Sequence, residues 1–135
     1  KEKMILTPTY HVLEMYNVHQ DATLLPLKIT GSDYIFNGEK LPAVSASASK
    51  DSTGTIHISL VNIDPNKTQK ISINISGQKL GTVTGRVLSS KKIQDYNSFS
   101  EPEKIKPAIF KDALINNNIL TVTLPPASVV VLKMK

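Results

Sequence analysis

Two periodicities divide the chain. From Thr7 to about Asp21, Val12, Met15, Tyr16 and His19 recur at three- and four-residue spacing, and Leu13 widens the stripe. Thr7 is a residue type that caps helices, and Pro8 suits the first helical position, where its missing N–H leaves nothing unpaired. The pattern predicts a helix of about a dozen residues ending near Gln20-Asp21, too short to be stable without a surface to pack on.

From Ala22 onward the period is two. Ala22 to Thr30 reads as extended, with Pro26 marking an edge or a bulge. Tyr34 to Phe36 is a short extended piece followed by Asn37-Gly38, a strong turn dipeptide. Val44 to Ser49 alternates small residues with serines. Thr55 to Ile63 alternates with Ile56, Ile58 and Leu60 on one face, so the two are expected to form a hairpin. Lys70 to Ile75 places Ile71, Ile73 and Ile75 inward, and Thr82 to Leu88 is a strand with Gly85 as a candidate bulge. Residues 89–111 lack a period and are expected to be a packed loop anchored by Phe99 and Phe110. Asn116-Asn117-Asn118 turns Ala113–Ile115 into the strand Ile119 to Leu124, and Ser128 to Met134 is apolar enough to be a central strand. About eight or nine short strands with turns at roughly 8–12-residue intervals are the signature of an antiparallel sandwich.

Composition narrows the class. The chain has 135 residues, room for one ordinary domain, and is 40% hydrophobic. It has no cysteine, which excludes disulfides and thiolate metal sites. The net charge of +5 comes from 16 basic and 11 acidic residues, but Arg86 is the lone arginine. The lysines run from Lys1 to Lys135, and the longest adjacent basic pair is Lys91-Lys92. Nucleic-acid readers favour clustered arginine, so a solvated surface is the better account. No apolar run approaches the ~20 residues of a membrane span. The first eight residues are no signal peptide and include no initiator methionine. The chain is therefore expected to be an excised piece, with any targeting signal outside it. The compartment stays open, a periplasmic or secreted setting being favoured over a cytoplasmic one.

Chemistry-bearing patterns are sparse. Glycoside hydrolysis needs two facing carboxylates, one with a raised pKa. Here Asp33, Asp51, Asp64, Asp95 and Asp112 fall in turns, where Asp serves backbone geometry, and Glu101 and Glu103 sit beside Lys104 and Lys106. His11 and His19 are eight residues apart, too far for one metal, and His57 is expected to be a surface or interface residue. No serine lies in a nucleophile elbow. Gly77, Gly81 and Gly85 precede β-branched residues rather than a phosphate-binding helix. Asn66-Lys67-Thr68 and Asn74-Ile75-Ser76 match the glycosylation sequon, a pattern with many chance hits. There is no Trp and aromatics are 5%, thin for a sugar-stacking platform. No catalytic, cofactor-binding or metal-ligating residue is assigned to the chain.

Several stretches together carry a resemblance. Leu6 to Val12 with Met15-Tyr16, His19 to Pro26, Val44 to Lys50, His57 to Pro65 and Leu124 to Leu132 resemble, in order, the end of family 51 α-L-arabinofuranosidases. The resemblance implies an all-β, jelly-roll-like antiparallel sandwich over residues 22–135. Residues 1–21 would be the remnant of the last loop and helix of a (β/α)8 barrel. It implies a parent that is a retaining exo-glycosidase, releasing terminal α-L-arabinofuranosyl groups from arabinan- or arabinoxylan-type glycans. Its two catalytic glutamates would lie on barrel strands absent here. The barrel would be this domain's partner, with homo-oligomerisation of the parent, no nucleic acid and no membrane. A strand from the parent's own N-terminus would also be missing, leaving a sheet edge exposed. The leading residues Lys1 to Leu6 would lie on the side where barrel active sites open. The alternative function is a carbohydrate-binding module that holds the polysaccharide. An unrelated adhesion-type sandwich is disfavoured by the helix. With its barrel gone, that helix is expected to be poorly packed, frayed or docked on a second copy.

Overall fold

A computed structural model describes residues 2–75 and 77–135. Lys1, in the leading segment, and Ser76, which completes the second sequon, lie outside the described residues. The helix α1, Pro8–Tyr16, starts as the sequence dictates: Thr7 is extended and its side chain accepts a hydrogen bond from Tyr10 N–H at 3.2 Å. A single 3-10 turn, Asn17–His19, continues it, and Asp21 with φ of 55° ends the helical path.

The strands follow in chain order: β1 (Thr23–Leu25), β2 (Asp33–Phe36), β3 (Glu39–Pro42), β4 (Val44–Lys50), β5 (Ile56–Asn62) and β6 (Gln69–Asn74). Then come β7 (Val83–Ser89), β8 (Ala108–Phe110), β9 (Ala113–Asn116), β10 (Ile119–Leu124) and β11 (Ser128–Met134). Every pairing is antiparallel. A six-stranded sheet has the order β1-β4-β5-β11-β7-β8, a three-stranded sheet β6-β10-β9, and β2-β3 form a separate hairpin. The result is an open antiparallel sandwich. The hairpin turns use the residues the chain provides for positive φ: Asn37 (50°) with Gly38 (83°), and Asn117 (48°) with Asn118 (62°).

The core between the sheets is built by the two-residue period. Ile56, Ile58 and Leu60 of β5 and Val130, Leu132 and Met134 of β11 meet Ile71 and Ile73 of β6 and Leu120, Val122 and Leu124 of β10. Ile75 packs partly buried at its rim. β11 is central, as its composition predicts, and β1 is an edge strand that stops before Pro26.

Four expectations need correction. The helix is neither frayed nor unpartnered: Met15 is 1% exposed and, with Val12, Tyr16 and Val18, covers Leu88, Val129, Val131 and Ile105. This is a second apolar layer on the outer face of the six-stranded sheet, outside the sandwich core. Phe99 is no anchor, being 61% exposed, whereas Phe110 is buried as expected. The loop is anchored instead by Asn97 and Ile105, both 6% exposed, because the Asn97 amide satisfies backbone groups that apolar side chains cannot. Gly85 is no bulge, since β7 runs through it in unbroken register with both β11 and β8. Finally, β3 and β8 are strands in stretches the pattern left unassigned, because each pairs with a neighbour without burying an alternating face.

Gly85 is required by close approach. A Cβ there would lie 2.7 Å from Leu132 Cδ2 and 3.3 Å from Phe110 Cβ, both in fully enclosed surroundings. Gly85→Ala is expected to destabilise the domain by about 1–3 kcal/mol, read as a lowered urea midpoint. Gly31→Ala, whose Cβ meets nothing within 4 Å, is expected to stay within about 0.5 kcal/mol of the parent sequence.

Candidate functional site

The outer face of the six-stranded sheet gathers most of the chain's unusual chemistry. Antiparallel register lines its side chains into rows across β4, β5, β11 and β7. One row is Ser45, Val61, Val129 and Leu88; the next is Ser47, Ser59, Val131 and Arg86; the third is Ser49, His57, Lys133 and Thr84. The apolar side of this surface, over β11 and β7, receives Met15 and Val12 of α1. The small serines on β4 and β5 leave room for the turn that follows the helix.

There His19 is the polar fastening. Its Nδ1 is hydrogen-bonded to Ser49 Oγ at 2.6 Å and its Nε2 to Ser59 Oγ at 3.1 Å. His57, next to Ser49 in the same row, is 7% exposed, so of the two placements expected for it, surface or interface, free exposure is ruled out. The helical layer covers it, a tertiary effect that strand alternation alone does not reveal. Among the described residues its Nδ1 has no hydrogen-bond partner, and the acid facing it is Asp51, with Oδ2 at 4.0 Å. Burial pushes both imidazoles below their ordinary value. The mutual charge of the pair adds to this at His19, while at His57 Asp51 pulls upward and Lys133 downward.

Beside α1 the same face opens into a groove of about 850 Å³ lined by Glu14, Asn17, His57, Thr84, Arg86, Ile109, Lys111 and Lys133. Arg86 donates from Nη1 to Glu14 Oε1 at 2.9 Å, tying helix to sheet at an exposed position where such pairs contribute little. That hydrogen bond holds the Glu14 carboxyl below its usual range.

The remaining acids that make contacts serve local structure. Asp51 accepts from Thr53 and Thr55, its carboxyl held low first by the Thr53 hydroxyl. Asp64 accepts from the N–H groups of Asn66 and Lys67, in the turn that carries the first sequon. Asp95 is bonded to Ser90 and to Lys104, and Glu103 to Lys106; both carboxyls are lowered by these contacts. No resolved carboxyl shift is upward, the direction a glycosidic general acid needs. Among the described residues no three His, Asp or Glu side chains are grouped to hold a metal ion. What the arrangement visibly does is fasten the helix and the turn after it to the sheet. What sequence reasoning missed is Asn97, and a lone polar residue inside an aperiodic loop carries no periodic signal.

The comparisons with known proteins converge. The family model described as the α-L-arabinofuranosidase C-terminal domain matches residues 1–128. The chain is 44% identical over 135 residues to the intracellular exo-α-L-arabinofuranosidase of Bacteroides ovatus, covering 99% of this chain and 26% of that protein. It is 32% identical over 127 residues to α-L-arabinofuranosidase 1 of Arabidopsis thaliana, covering 90% of this chain and 18% of that one. The crystal structure of the GH51 arabinofuranosidase from Xanthomonas axonopodis pv. citri superposes with a TM-score of 0.96 at 38% identity, over 98% of this chain and 27% of that one. The chain thus spans about a quarter or less of the length of these relatives.

The buried histidines make stability depend on pH. Both imidazoles lie below 6.5 in the folded chain, so the unfolded chain takes up protons first on acidification. Their contribution is fully present above that value and is lost as pH falls through it toward the lower folded values. Denaturation midpoints are expected to fall between about pH 7 and pH 5, and His19→Gln should flatten that dependence. An unchanged slope in the variant would show that His19 is not one of the groups responsible.

Proposed function

The chain belongs to the α-L-arabinofuranosidase C-terminal domain family, and from that premise we propose that it is the non-catalytic sandwich of a larger α-L-arabinofuranosidase. The whole protein would be a retaining exo-glycosidase that removes terminal α-L-arabinofuranosyl groups from arabinan- or arabinoxylan-type glycans, and this domain would support its barrel. The supporting observation is that the likeness runs along the whole chain in sequence and in fold, not through one short motif. The chemistry agrees: the acids with resolved shifts are held ionised by hydrogen bonds, and none is poised to donate a proton to a leaving sugar.

On this reading residues 1–21 are the last helical unit of the barrel and residues 22–135 the sandwich proper. The helix has two duties: its buried side closes the sheet, and its outer side, with Leu13 and Tyr10 exposed, continues toward the catalytic part. A strand contributed from the far N-terminus of the whole protein would complete the sandwich at an exposed sheet edge. No catalytic, cofactor or metal residue is assigned to these residues.

The 135-residue chain is expected to show no turnover of a chromogenic α-L-arabinofuranoside, while the whole protein hydrolyses it. Activity of the chain alone that survives repurification would overturn the assignment. Calorimetric titration of the chain with arabino-oligosaccharides is expected to show no heat of binding. Saturable heat at millimolar or tighter affinity would favour a polysaccharide-holding module instead.

A further inference from the structure

The connection between β7 and β8, residues 90–107, is long, lacks regular structure, and is nevertheless fixed along its length. Asp95 is bonded to Ser90 and, at 3.2 Å, to Lys104. Ser98 and Glu101 exchange backbone hydrogen bonds at 3.2 Å. At the centre, Asn97 donates from Nδ2 to Ile105 C=O at 2.8 Å and accepts from Ile105 N–H at 2.7 Å. The same Nδ2 donates to Leu6 C=O at 2.8 Å, which fastens the leading segment of the chain to the loop.

This order holds apolar side chains out in solvent. Ile93, Tyr96 and Phe99 are 67%, 69% and 61% exposed, and Met4 of the leading segment is 84% exposed. The loop's inward places are already taken by Asn97 and Ile105. Charged residues surround the three: Lys91 and Lys92 before Ile93, Glu101 to Lys106 after Phe99. Exposed apolar side chains flanked in sequence by charged residues, on a loop tied by side-chain hydrogen bonds, have the composition of an interface rather than of a free surface.

The occupant follows from the chain's place in its family. The domain is C-terminal and makes up about a quarter of a relative's length, so the remaining three-quarters lies upstream. In such a relative that polypeptide arrives at the segment matching residues 2–6, and here Asn97 holds that segment against this loop. We propose that Ile93, Tyr96 and Phe99 form a ledge on which the upstream part of the same polypeptide seats, with Asn97 setting the angle at which the chain crosses between the two. This rests on the reading that the chain is the C-terminal part of a longer enzyme, but not on what that enzyme hydrolyses.

The β2-β3 hairpin supplies a control. Ile35 and Phe36 are comparably exposed there, and the hairpin connects through Ser32 to Gln69 at the start of β6, not to the leading segment. The test compares two double variants of the whole protein, Tyr96→Asp with Phe99→Asp and Ile35→Asp with Phe36→Asp, by hydrogen exchange. The loop variant is expected to lose protection in residues 2–16 by about tenfold or more, while β5 and β11 stay protected as in the unaltered protein. The hairpin variant should leave residues 2–16 unchanged. Unaltered protection of residues 2–16 in the loop variant, or an equal loss in the hairpin variant, overturns the proposal. So does a loop variant that keeps that protection but changes oligomeric state by sedimentation, which would assign the ledge to a second copy. Arabinofuranosidase activity is not the readout, so a mistaken substrate leaves this test intact.

Discussion

Strand β11 is buried along its inner face and, at Val129 and Val131, covered on its outer face as well, and the rest of the molecule is arranged around that requirement. All seven residues pair with β5 on one side and β7 on the other. Val130, Leu132 and Met134 enter the sandwich core, while Val129 and Val131 point the other way. An antiparallel sheet commonly leaves one face to water. Here that face would present valines and Leu88 to solvent, and the short helix resolves the conflict by laying Met15 and Val12 over them. Neither element is complete alone: the helix is too short to persist without a surface, and the sheet too apolar to stay uncovered.

The polar features follow from how the helical layer is seated. Away from the valines, the outer surface of β4 and β5 carries serines, small enough to admit His19, whose two ring nitrogens take two of their hydroxyls. Covering the sheet also buries His57, leaving its Nδ1 facing Asp51 at 4.0 Å without a hydrogen bond. An unmatched polar atom costs free energy, and burial, the larger influence at His57, favours the neutral imidazole, which lessens that cost relative to a buried charge. On the other flank Asn97 fastens the leading segment. Two polar side chains, His19 and Asn97, and one apolar layer thus hold residues 2–21 in a defined place on the sandwich.

Much of the architecture was readable from the order of residues because period-two alternation is enforced by burial. β5, β6, β10 and β11 each bury an alternating face, and each is where Ile56–Leu60, Ile71–Ile73, Leu120–Leu124 and Val130–Met134 predict it. Turns were readable where Asn and Gly supply positive φ. β3 and β8 were not readable, because exposed or three-residue strands leave no alternation to detect. Phe99 misled for the opposite reason: a large apolar residue suggests an anchor, yet the loop is held by the amide of Asn97. The burial of His57 was hidden because it depends on a helix some forty residues away in sequence. On the functional side, the local contacts of Asp51, Asp64 and Asp95 were legible from their positions in turns, and that of Glu103 from the lysine beside it. The fastening residues His19 and Asn97 were not, since each acts through single contacts at long range.

The cover that α1 lays over Leu88, Val129 and Val131 makes residues 2–21 structural members of this domain. Removing them tests that most directly. Comparing urea denaturation of the 135-residue chain with that of residues 22–135 is predicted to show a loss of at least about 2 kcal/mol, the contribution of burying Met15 alone, or failure of the shortened chain to fold. A shortened chain with the same midpoint and the same cooperativity would contradict the account, because the outer face of β11 and β7 would then need no cover.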